Sequence, residues 1–420
     1  MISTELLDRL ANTGAGLARA AGSTVPGGHV PDWVLEPEST AQLVALVRML
    51  HDGGVAWRVD ARGRNWGYDD TRVAAPGLIV RLARLDRLDL DVELGLATVQ
   101  PGVTFAQLDE ALRRAGARFH LPEPGSGPHT SVLGNALERG LLAGLGERER
   151  HCRDFLLLSR DGELTRLGWP DASDERVRRA LPYPPGPHLQ GTLFQTAGYG
   201  PVVVELTHVL PVAAAHTVTP VLLAGAELTE ELLRCWRDML LDELVASTVL
   251  TSPARRRAQG VTGGHDGLVL DLYVTAGSPA MLRAKAADVQ RLARQHGQRL
   301  AARLGGNYDD LGILGGNRDH PEAVGQLSQG LEWHTAALPF APSVVAAFAR
   351  AVRADPVLVD VPWSLRPLDS RALVWLAPLV YRKDDPDSVA LLRRRVAAVT
   401  RLRGEFALPA YRSGAVRGDR

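Results

Sequence analysis

The chain has 420 residues, of which 45% are hydrophobic, a length that allows one large core or two cooperating domains. Its 48 basic and 48 acidic residues cancel, so no overall charge favours binding to nucleic acid or to an anionic membrane. Cys152 and Cys235 lie far apart and outside any CxxC pattern, which indicates neither a disulfide framework nor a zinc site. The N-terminal MISTELLDRLANTGAGLARAAG has no apolar run long enough for a signal peptide or a membrane span, so a cytoplasmic location is expected.

The first predicted elements follow the order helix, strand, loop, strand. STAQLVALVRMLHDGG opens with a capping-box pattern from Ser39 to Gln42 and keeps apolar residues at helical spacing until two glycines end it. Short strands are predicted at 55–59 and 77–82, with the glycine-bearing loop ARGRNWGYDD between them.

Strands and helices continue to alternate up to Pro211. A hairpin over 88–99 turns near Gly95, and Thr104 begins a second capping box. FLLLSRDGELTRLG predicts another hairpin, and PVVVELTHVLP predicts a strand. Beyond Pro211, amphipathic helical segments surround strand-like stretches, as expected for a second α+β domain. The helices are predicted at 227–248, 279–304 and 343–353, and the strands are predicted at 269–274 and 372–381.

Two glycine-rich segments are candidates for phosphate binding. The loop from Ala61 to Asp70 lets consecutive backbone amides point at one anion, because glycine adopts a positive φ and permits close approach. A surface turn with two solvated arginines is the alternative interpretation. The second segment, GSGPHTSVLGNALERG at 125–140, is not the GxGxxG of a classical dinucleotide fold, which disfavours a nicotinamide Rossmann domain.

In their order along the chain, these motifs resemble the 4-phenol-oxidising branch of the vanillyl-alcohol-oxidase/p-cresol-methylhydroxylase family. The resemblance rests on PESTAQLVALVR, RGRNWGY, VQPGVTFAQLDEAL, SVLGNALERG and LQGTLFQTAGYGPVVVEL, and it resumes more weakly in ALVWLAPLVYRKDDPDS and ALPAYRSG. It implies an α+β fold with a two-subdomain FAD-binding domain over 1–211. A smaller α+β substrate or cap domain over 212–385 would follow, and a C-terminal segment over 386–420 would return toward the flavin.

The resemblance also implies which residues bind FAD. The first loop and the second glycine segment would hold the pyrophosphate and the adjoining ribityl chain. The full implied set is Ala61, Arg62, Gly63, Arg64, Asn65, Trp66, Gly67, Tyr68, Pro101, Gly125, Ser131, Val132, Gly134, Asn135, Gly140 and Val203.

The implied chemistry is hydride removal from a phenol. Tyr68, Tyr411 and Arg412 would grip the phenol oxygen, because a cation and hydrogen-bond donors lower the pKa of a phenol and a phenolate loses hydride more readily. Glu123, where the family usually has aspartate, would stand near the reactive flavin nitrogen and move a proton or activate water. A small aromatic or polyketide-like substrate is expected, with oxygen or an electron-transfer partner to reoxidise the flavin.

Each of these residues also has a plainer interpretation. Tyr68 would cap its loop against the core, and Glu123 would be a solvated carboxylate in a proline-rich turn. Tyr411 and Arg412 are adjacent, so a regular strand would send them to opposite faces, and sharing a pocket requires a bend near Ser413.

The chain departs from the family pattern in four places. Family members continue past the Tyr-Arg pair whereas this sequence stops at Arg420, and the cap is short, so an open or rebuilt FAD pocket and a wider substrate cavity are expected. The position aligned with covalent flavin attachment is Leu331, and His334 is more typical of a core residue; with the RxxGH pattern also absent, dissociable FAD is predicted. LLAGLGERERH replaces a polar and aromatic segment at 141–151.

Three functions stay open from the sequence. The first is an FAD-dependent oxidase or dehydrogenase acting on phenols. The second is a tailoring flavoenzyme of secondary metabolism that oxidises a larger alcohol, amine or C–H bond, and the third is a flavin-free binding protein that retains the fold. A homodimeric assembly is also left open by the sequence.

Overall fold

A computed structural model describes residues 3–20, 31–63, 77–122, 124, 127–142, 146–182, 184, 186–259, 261, 265–303 and 329–412. In the described part of the chain, the first two sheets are formed by strands up to Val209, and the third begins at His216. This is the predicted α+β architecture.

The first sheet has four strands in the order β1-β2-β4-β3, and β4 runs parallel to both β2 and β3. Its strands are β1 Gly16–Arg19, β2 Trp33–Glu36, β3 Trp57–Asp60 and β4 Leu78–Arg81, and its helices are α1 Thr4–Ala11 and α2 Thr40–Asp52. Helix α2 begins where the Ser39 hydroxyl accepts the Gln42 N–H at 3.2 Å, and it buries Leu43, Leu46 and Leu50 in the core shared with this sheet. The predicted helix and the two strands that follow it are confirmed, whereas most of the loop between the strands lies outside the described residues.

The second sheet is antiparallel, with five strands in the order β10-β9-β11-β6-β5. Both predicted hairpins are present, and Gly95 and Gly162 have the positive φ that their turns require. Thr104 and Gln107 form the complete predicted capping box. The elements are β5 Leu88–Asp91, β6 Leu96–Val99, α3 Phe105–Arg114, α4 Val132–Leu137, β7 Leu141–Leu142, β8 Gly146–Glu147, β9 Cys152–Leu158, β10 Leu164–Leu167, α5 Glu175–Ala180 and β11 Val202–Val209, with 3-10 turns at Arg148–His151 and Gln190–Leu193.

The third sheet forms the predicted cap, with the order β16-β13-β15-β14-β18-β19-β17 and β12 paired to β15. Its strands are β12 His216–Val218, β13 Val221–Leu223, β14 Ser247–Thr251, β15 Val269–Ala276, β16 Leu300–Ala301, β17 Gln329–Pro339, β18 Ser364–Pro367 and β19 Ala372–Arg382. The cap helices are α6 Glu230–Leu241, α7 Pro253–Ala258, α8 Pro279–Gln295, α9 Pro342–Ala354 and α10 Pro386–Glu405.

One face of this sheet packs on helices. Leu270, Leu272 and Val274 alternate along β15 and join the same core cluster as residues of α6, α8 and α9. Because successive strand residues point to opposite faces, Asp271 and Tyr273 lie on the other face.

Helix α10 belongs structurally to the cap. It begins at Asp385, whose carboxylate accepts the N–H groups of Asp387 and Ser388, and it adds Leu392, Val399 and Leu402 to the cap core. After α10, Tyr411 and Arg412 contact Arg139 and Glu138 in the first half of the chain. The division at 211 and 385 stays a prediction.

The described residues include no helix long and apolar enough to cross a membrane. Within the same ranges there is no group of three or more His, Cys, Asp or Glu side chains that could hold a metal ion. Both cysteines are buried free thiols.

Replacing Thr248 with valine should lower the free energy of unfolding by about 1–3 kcal/mol. The indole N–H of Trp236 donates to the Thr248 hydroxyl at 2.7 Å, and both side chains are fully buried, so the substitution leaves a buried donor unpaired. Chemical denaturation measures the change, with Thr165→Val on the exposed strand β10 as the matched control. Equal stability of the two variants would contradict the prediction.

Candidate functional site

Two of the predicted cofactor segments meet at Ser131. Its hydroxyl donates to the Pro101 carbonyl at 2.6 Å and accepts the Gly134 N–H at 2.9 Å, where it caps α4. A β-bridge between Thr104 and Ser131 adds a further link. Ser131 and Pro101, which are 30 positions apart in sequence, are thereby held in contact.

The first loop contacts the same segments through the Arg62 side chain and through Ala61. Arg62 Nη1 donates to the Gly102 carbonyl at 3.0 Å, and Gly63 has a φ of +63°. A Cβ on Gly134 would lie 3.0 Å from Ala61 Cβ, so the loop and α4 approach as closely as glycine permits. We call residues 61–63, 101–102 and 131–135 the backbone cradle.

A fourth segment, which the sequence analysis quoted but did not assign to the cofactor, closes the cradle. The Val59 N–H donates to the Gly198 carbonyl at 2.9 Å, and a Cβ on Gly198 would overlap the Val59 carbonyl. Gln195 and Ala197 both have positive φ, 56° and 53°, which is uncommon for residues with a side chain. Such strained residues cluster at functional sites, and the run TAGYG is the signal that could have been used.

The cradle fits the pyrophosphate of a dinucleotide. It brings three glycines, Gly63, Gly102 and Gly134, together with the Arg62 side chain, and an arginine is a group that binds phosphate oxygens. Two buried amide atoms, Asn135 Oδ1 and Gln195 Nε2, have no hydrogen-bond partner within the described part of the chain. Buried polar groups are normally satisfied, so unsatisfied ones are typical of a ligand site.

The other predicted contacts divide into three groups. Val132 and Val203 are buried in the core cluster beneath the cradle, where the Val132 N–H donates to the Val103 carbonyl and Val203 pairs with Leu157 of β9, so their contact with a cofactor stays a prediction. Gly140 packs against the Asn135 side chain, which a Cβ would overlap. Several predicted residues lie outside the described residues: Arg64, Asn65, Trp66, Gly67, Tyr68, Glu123 and Gly125.

Tyr411 and Arg412 are held together at the Thr335 side chain. Their backbone N–H groups both donate to the Thr335 hydroxyl, at 3.1 and 3.2 Å, and this chelation produces a bend at the two residues themselves. Arg412 Nη2 lies 3.5 Å from the Glu138 carboxylate at the end of α4. Their contact with a phenol oxygen stays a prediction.

Arg139 anchors Tyr411 on the other side. Its guanidinium lies 4.3 Å from the centre of the Tyr411 ring, donates to the Tyr411 carbonyl and pairs with Glu147, with Nε to Oε1 at 2.6 Å. The Tyr411 hydroxyl donates to the Arg139 carbonyl at 3.1 Å. Burial, with Glu147 nearby, raises the pKa of Tyr411 far above its usual value. We call Arg139, Glu147, Thr335 and Tyr411 the Arg139 junction.

A second cation lies wholly inside the protein beside α4. Arg148 is 0% exposed, stacks 4.8 Å from the Phe105 ring centre and donates to the carbonyl of Pro122. Burial lowers the pKa of Arg148 to about 9. Burial, and then the charge of Arg148, lowers the pKa of His208 to about 3, so His208 is neutral.

His334 faces the cap core. It alternates with Ala336 and Leu338, which pack against the cap helices, and its Nε2 lies 3.4 Å from Glu332. Leu331 is on the opposite face of β17.

The comparisons with known proteins agree with this geometry. Residues 31–168 match the model of the FAD binding domain family. The chain is 32% identical over 240 residues to 1'-carboxy-chondrochloren decarboxylase of Chondromyces crocatus, a match that covers 55% of this chain and 44% of the relative. The chain matches less than half the length of its curated relatives.

Two solved structures share the fold. The 4-ethylphenol oxidase from Gulosibacter chungangensis, in an isoeugenol complex, superposes with a TM-score of 0.83 at 17% identity, over 99% of this chain and 90% of that chain. The p-cresol methylhydroxylase with substrate bound gives a TM-score of 0.81 at 15% identity, over 97% and 85%.

The matched domain and the cradle define an FAD-binding protein with an α+β cap. Residues 31–168 carry a domain of the FAD binding domain family, and the fold is that of 4-ethylphenol oxidase and p-cresol methylhydroxylase, as the motifs predicted. FAD is its cofactor. The flavin-free alternative has no support from these findings.

Replacing Gly134 with alanine should weaken FAD binding about tenfold, or about 1.4 kcal/mol. The added Cβ would press on Ala61 and force the cradle apart, whereas alanine is the better helix former, so the unfolding temperature should not fall. Fluorescence titration of the apoprotein with FAD measures the affinity. Gly191→Ala, with open space around its Cβ, is the control; equal affinity in both variants would count against the cradle.

The buried His208 should make folding sensitive to acid. An unfolded histidine titrates near pH 6.5, but His208 stays neutral until about pH 3, so the unfolded chain takes up a proton first. Between pH 7 and pH 5 this lowers the free energy of unfolding by about 2 kcal/mol. The His208→Gln variant should lose that part of the pH dependence in denaturation experiments, and His216→Gln on β12 should keep it. An unchanged profile in His208→Gln would show that another group is responsible.

Proposed function

We propose that this protein is an FAD-dependent oxidase or dehydrogenase that removes a hydride from a small phenolic or related aromatic substrate. The observation that carries the proposal is that Tyr411 and Arg412 are held beside the end of α4, while the start of the same helix forms part of the cradle. The fold shared with 4-ethylphenol oxidase and p-cresol methylhydroxylase supports it.

The roles of the residues follow from their charges. The cradle binds the pyrophosphate through backbone amides and Arg62, and bound FAD supplies the acceptor for two electrons. Arg412 provides a permanent positive charge, which favours the phenolate form of a nearby substrate. Tyr411 has a raised pKa and its hydroxyl donates to the Arg139 carbonyl, so it holds the segment that carries Arg412 and does not act as a base.

A second candidate is oxidative decarboxylation in secondary metabolism. It is favoured by the 32% identity to 1'-carboxy-chondrochloren decarboxylase, which the structural neighbours do not share. In that reaction the substrate carboxyl group leaves as carbon dioxide while two electrons pass to FAD. A polyketide-like substrate or a larger alcohol, amine or C–H bond belongs to the same proposal.

We further propose that FAD is dissociable. Leu331 offers no nucleophile, and His334 points into the cap core, away from the face that carries Thr335. Oxygen or an electron-transfer partner as the second substrate, a homodimer and a cytoplasmic location complete the proposal.

Anaerobic addition of 4-ethylphenol to the holoprotein should bleach the flavin absorbance, and Arg412→Met should slow the bleaching about 10- to 100-fold. The reason is the loss of the charge that favours the phenolate. Stopped-flow absorbance measures the rate. Arg382→Met, which removes an exposed arginine paired only with Asp384 among the described residues, should react as the wild type does.

Absence of bleaching by any phenol, with carbon dioxide released from a carboxylated aromatic, would favour the second candidate. Equal rates in Arg412→Met and Arg382→Met would show that Arg412 does not act on the substrate.

A further inference from the structure

An ion pair lies at the carboxyl ends of two neighbouring parallel strands, where the first loop of the cradle begins. Asp60 ends β3 and Arg81 ends β4, and the strand register places the two residues opposite each other. Arg81 donates to both carboxylate oxygens, from Nε to Oδ1 at 2.9 Å and from Nη2 to Oδ2 at 3.0 Å. Such a bidentate pair fixes the plane of a guanidinium as well as its position. We call these two residues the Asp60–Arg81 clamp.

The guanidinium of the clamp lies against the first loop. Gly63 has a φ of +63°, and a Cβ there would lie 2.6 Å from Nη2 and 3.1 Å from Cζ of Arg81. Glycine therefore adopts the left-handed conformation and also leaves the space that the guanidinium fills. Asp60 holds the guanidinium in this space, because Nε and Nη2 are both bonded to its carboxylate.

The chain that follows β4 supports the neighbouring residue of the same loop. The Arg62 side chain donates to the Gly102 carbonyl, and the Gly102 N–H donates to the Leu85 carbonyl at 2.6 Å. A Cβ on Gly102 would overlap the Ala83 carbonyl, so these backbones pack as closely as glycine permits. The end of β4 is thus connected to the first loop at two points, directly through the clamp and indirectly through Gly102.

The opposite charges of the clamp argue for a role through geometry. The Asp60 carboxylate stands immediately before a loop that we assign to an anion, where an isolated negative charge would repel a pyrophosphate. The side chains of Asp60 and Arg81 are 9% and 25% exposed, so water screens them only in part. A carboxylate at this position opposes anion binding by its charge and favours it by holding the guanidinium under Gly63.

We propose that Asp60 and Arg81 are positioning residues for FAD binding. The clamp holds Gly63 in its left-handed conformation and keeps the first loop in the shape that receives the pyrophosphate. The role of each side chain is exerted through the loop backbone. The proposal rests on the part of the proposed function that assigns the cradle to the pyrophosphate, and it is independent of the substrate.

Fluorescence titration of the apoprotein with FAD tests the clamp. Asp60→Asn removes a negative charge, so electrostatic attraction alone would tighten FAD binding, whereas loss of the bidentate pair should weaken it about tenfold. Arg81→Lys keeps the positive charge but cannot form the bidentate pair, and it should weaken binding about as much as Arg81→Met does. Arg84→Met, which removes an exposed arginine paired with Glu38, should leave the affinity within about threefold of wild type.

The two members of the clamp should also act as one unit. Combining Asp60→Asn with Arg81→Met should weaken FAD binding no more than the stronger single change, because either change already removes the pair. Wild-type or tighter binding by Asp60→Asn, or wild-type binding by Arg81→Lys, would overturn the proposal. A lower unfolding temperature of the apoprotein with unchanged FAD affinity of the folded fraction would show a merely structural role and would overturn it as well.

The nearly isosteric Asp60→Asn decides the question if the Arg81 variants do not fold. Gly134→Ala separates failure of the clamp from failure of the cradle. Weak FAD binding by Gly134→Ala, with wild-type affinity in the clamp variants, would count against the clamp alone. Wild-type affinity in Gly134→Ala and in the clamp variants would count against the cradle itself.

Discussion

Arg139 ends helix α4 with a φ of 54°, a conformation that is unfavourable for a residue with a Cβ. The cost, of the order of 1 kcal/mol or more, is offset by the Glu147 ion pair, the contact with the Tyr411 ring and two hydrogen bonds with Tyr411. The contacts with Tyr411 require both the guanidinium and the carbonyl of Arg139 to face the segment that follows α10. The bend at Arg139 therefore determines where the C-terminal part of the described chain docks.

This dependence extends to both sides of the candidate site. Helix α4 has six residues, so the cradle at its start and the Arg139 junction at its end are separated by about 9 Å along the axis. Thr335 ties the junction to β17, which pairs over eleven residues with β19 in the cap. A shift of the junction would move β17, and with it the cap sheet, relative to the cradle.

Local signals were sufficient for much of the fold and for part of the site. Capping residues such as Ser39 and Thr104 act within one helical turn, and turn glycines such as Gly95 act within one hairpin, so their structural effect can be predicted from neighbouring residues. Residues 61–63 and 131–135 were expected near one another because the family motifs contain both segments, and their contact with FAD stays a prediction. The bend at Tyr411 was expected one or two residues later, since its cause is a hydroxyl on Thr335, 76 positions away.

The residues that sequence reasoning missed take part in contacts between positions that are far apart in the chain. The Arg139 junction joins positions 272 residues apart; Tyr411 was named through its motif, whereas Arg139 lies in SVLGNALERG without an assigned role. Asp271 did carry a signal, since a carboxylate inside the apolar run VLDLYV is unusual, but its partner Arg303 lies on a different strand edge. A single buried charge in a strand indicates that a partner exists, but the folded structure is needed to identify that partner.

Arginine side chains connect several distant parts of the chain at helix α4. Arg148 is fully buried beside this helix, although Nε and Nη1 are unpaired within the described residues. Burying a cation costs several kcal/mol unless other groups compensate it. The Pro122 carbonyl and the Phe105 ring contact Arg148, while Glu147 and Glu138 pair with Arg139 and Arg412. Removing one of these carboxylates should therefore destabilise the fold more than removing an exposed one, because it leaves a cation with less compensation where the C-terminal segment meets α4.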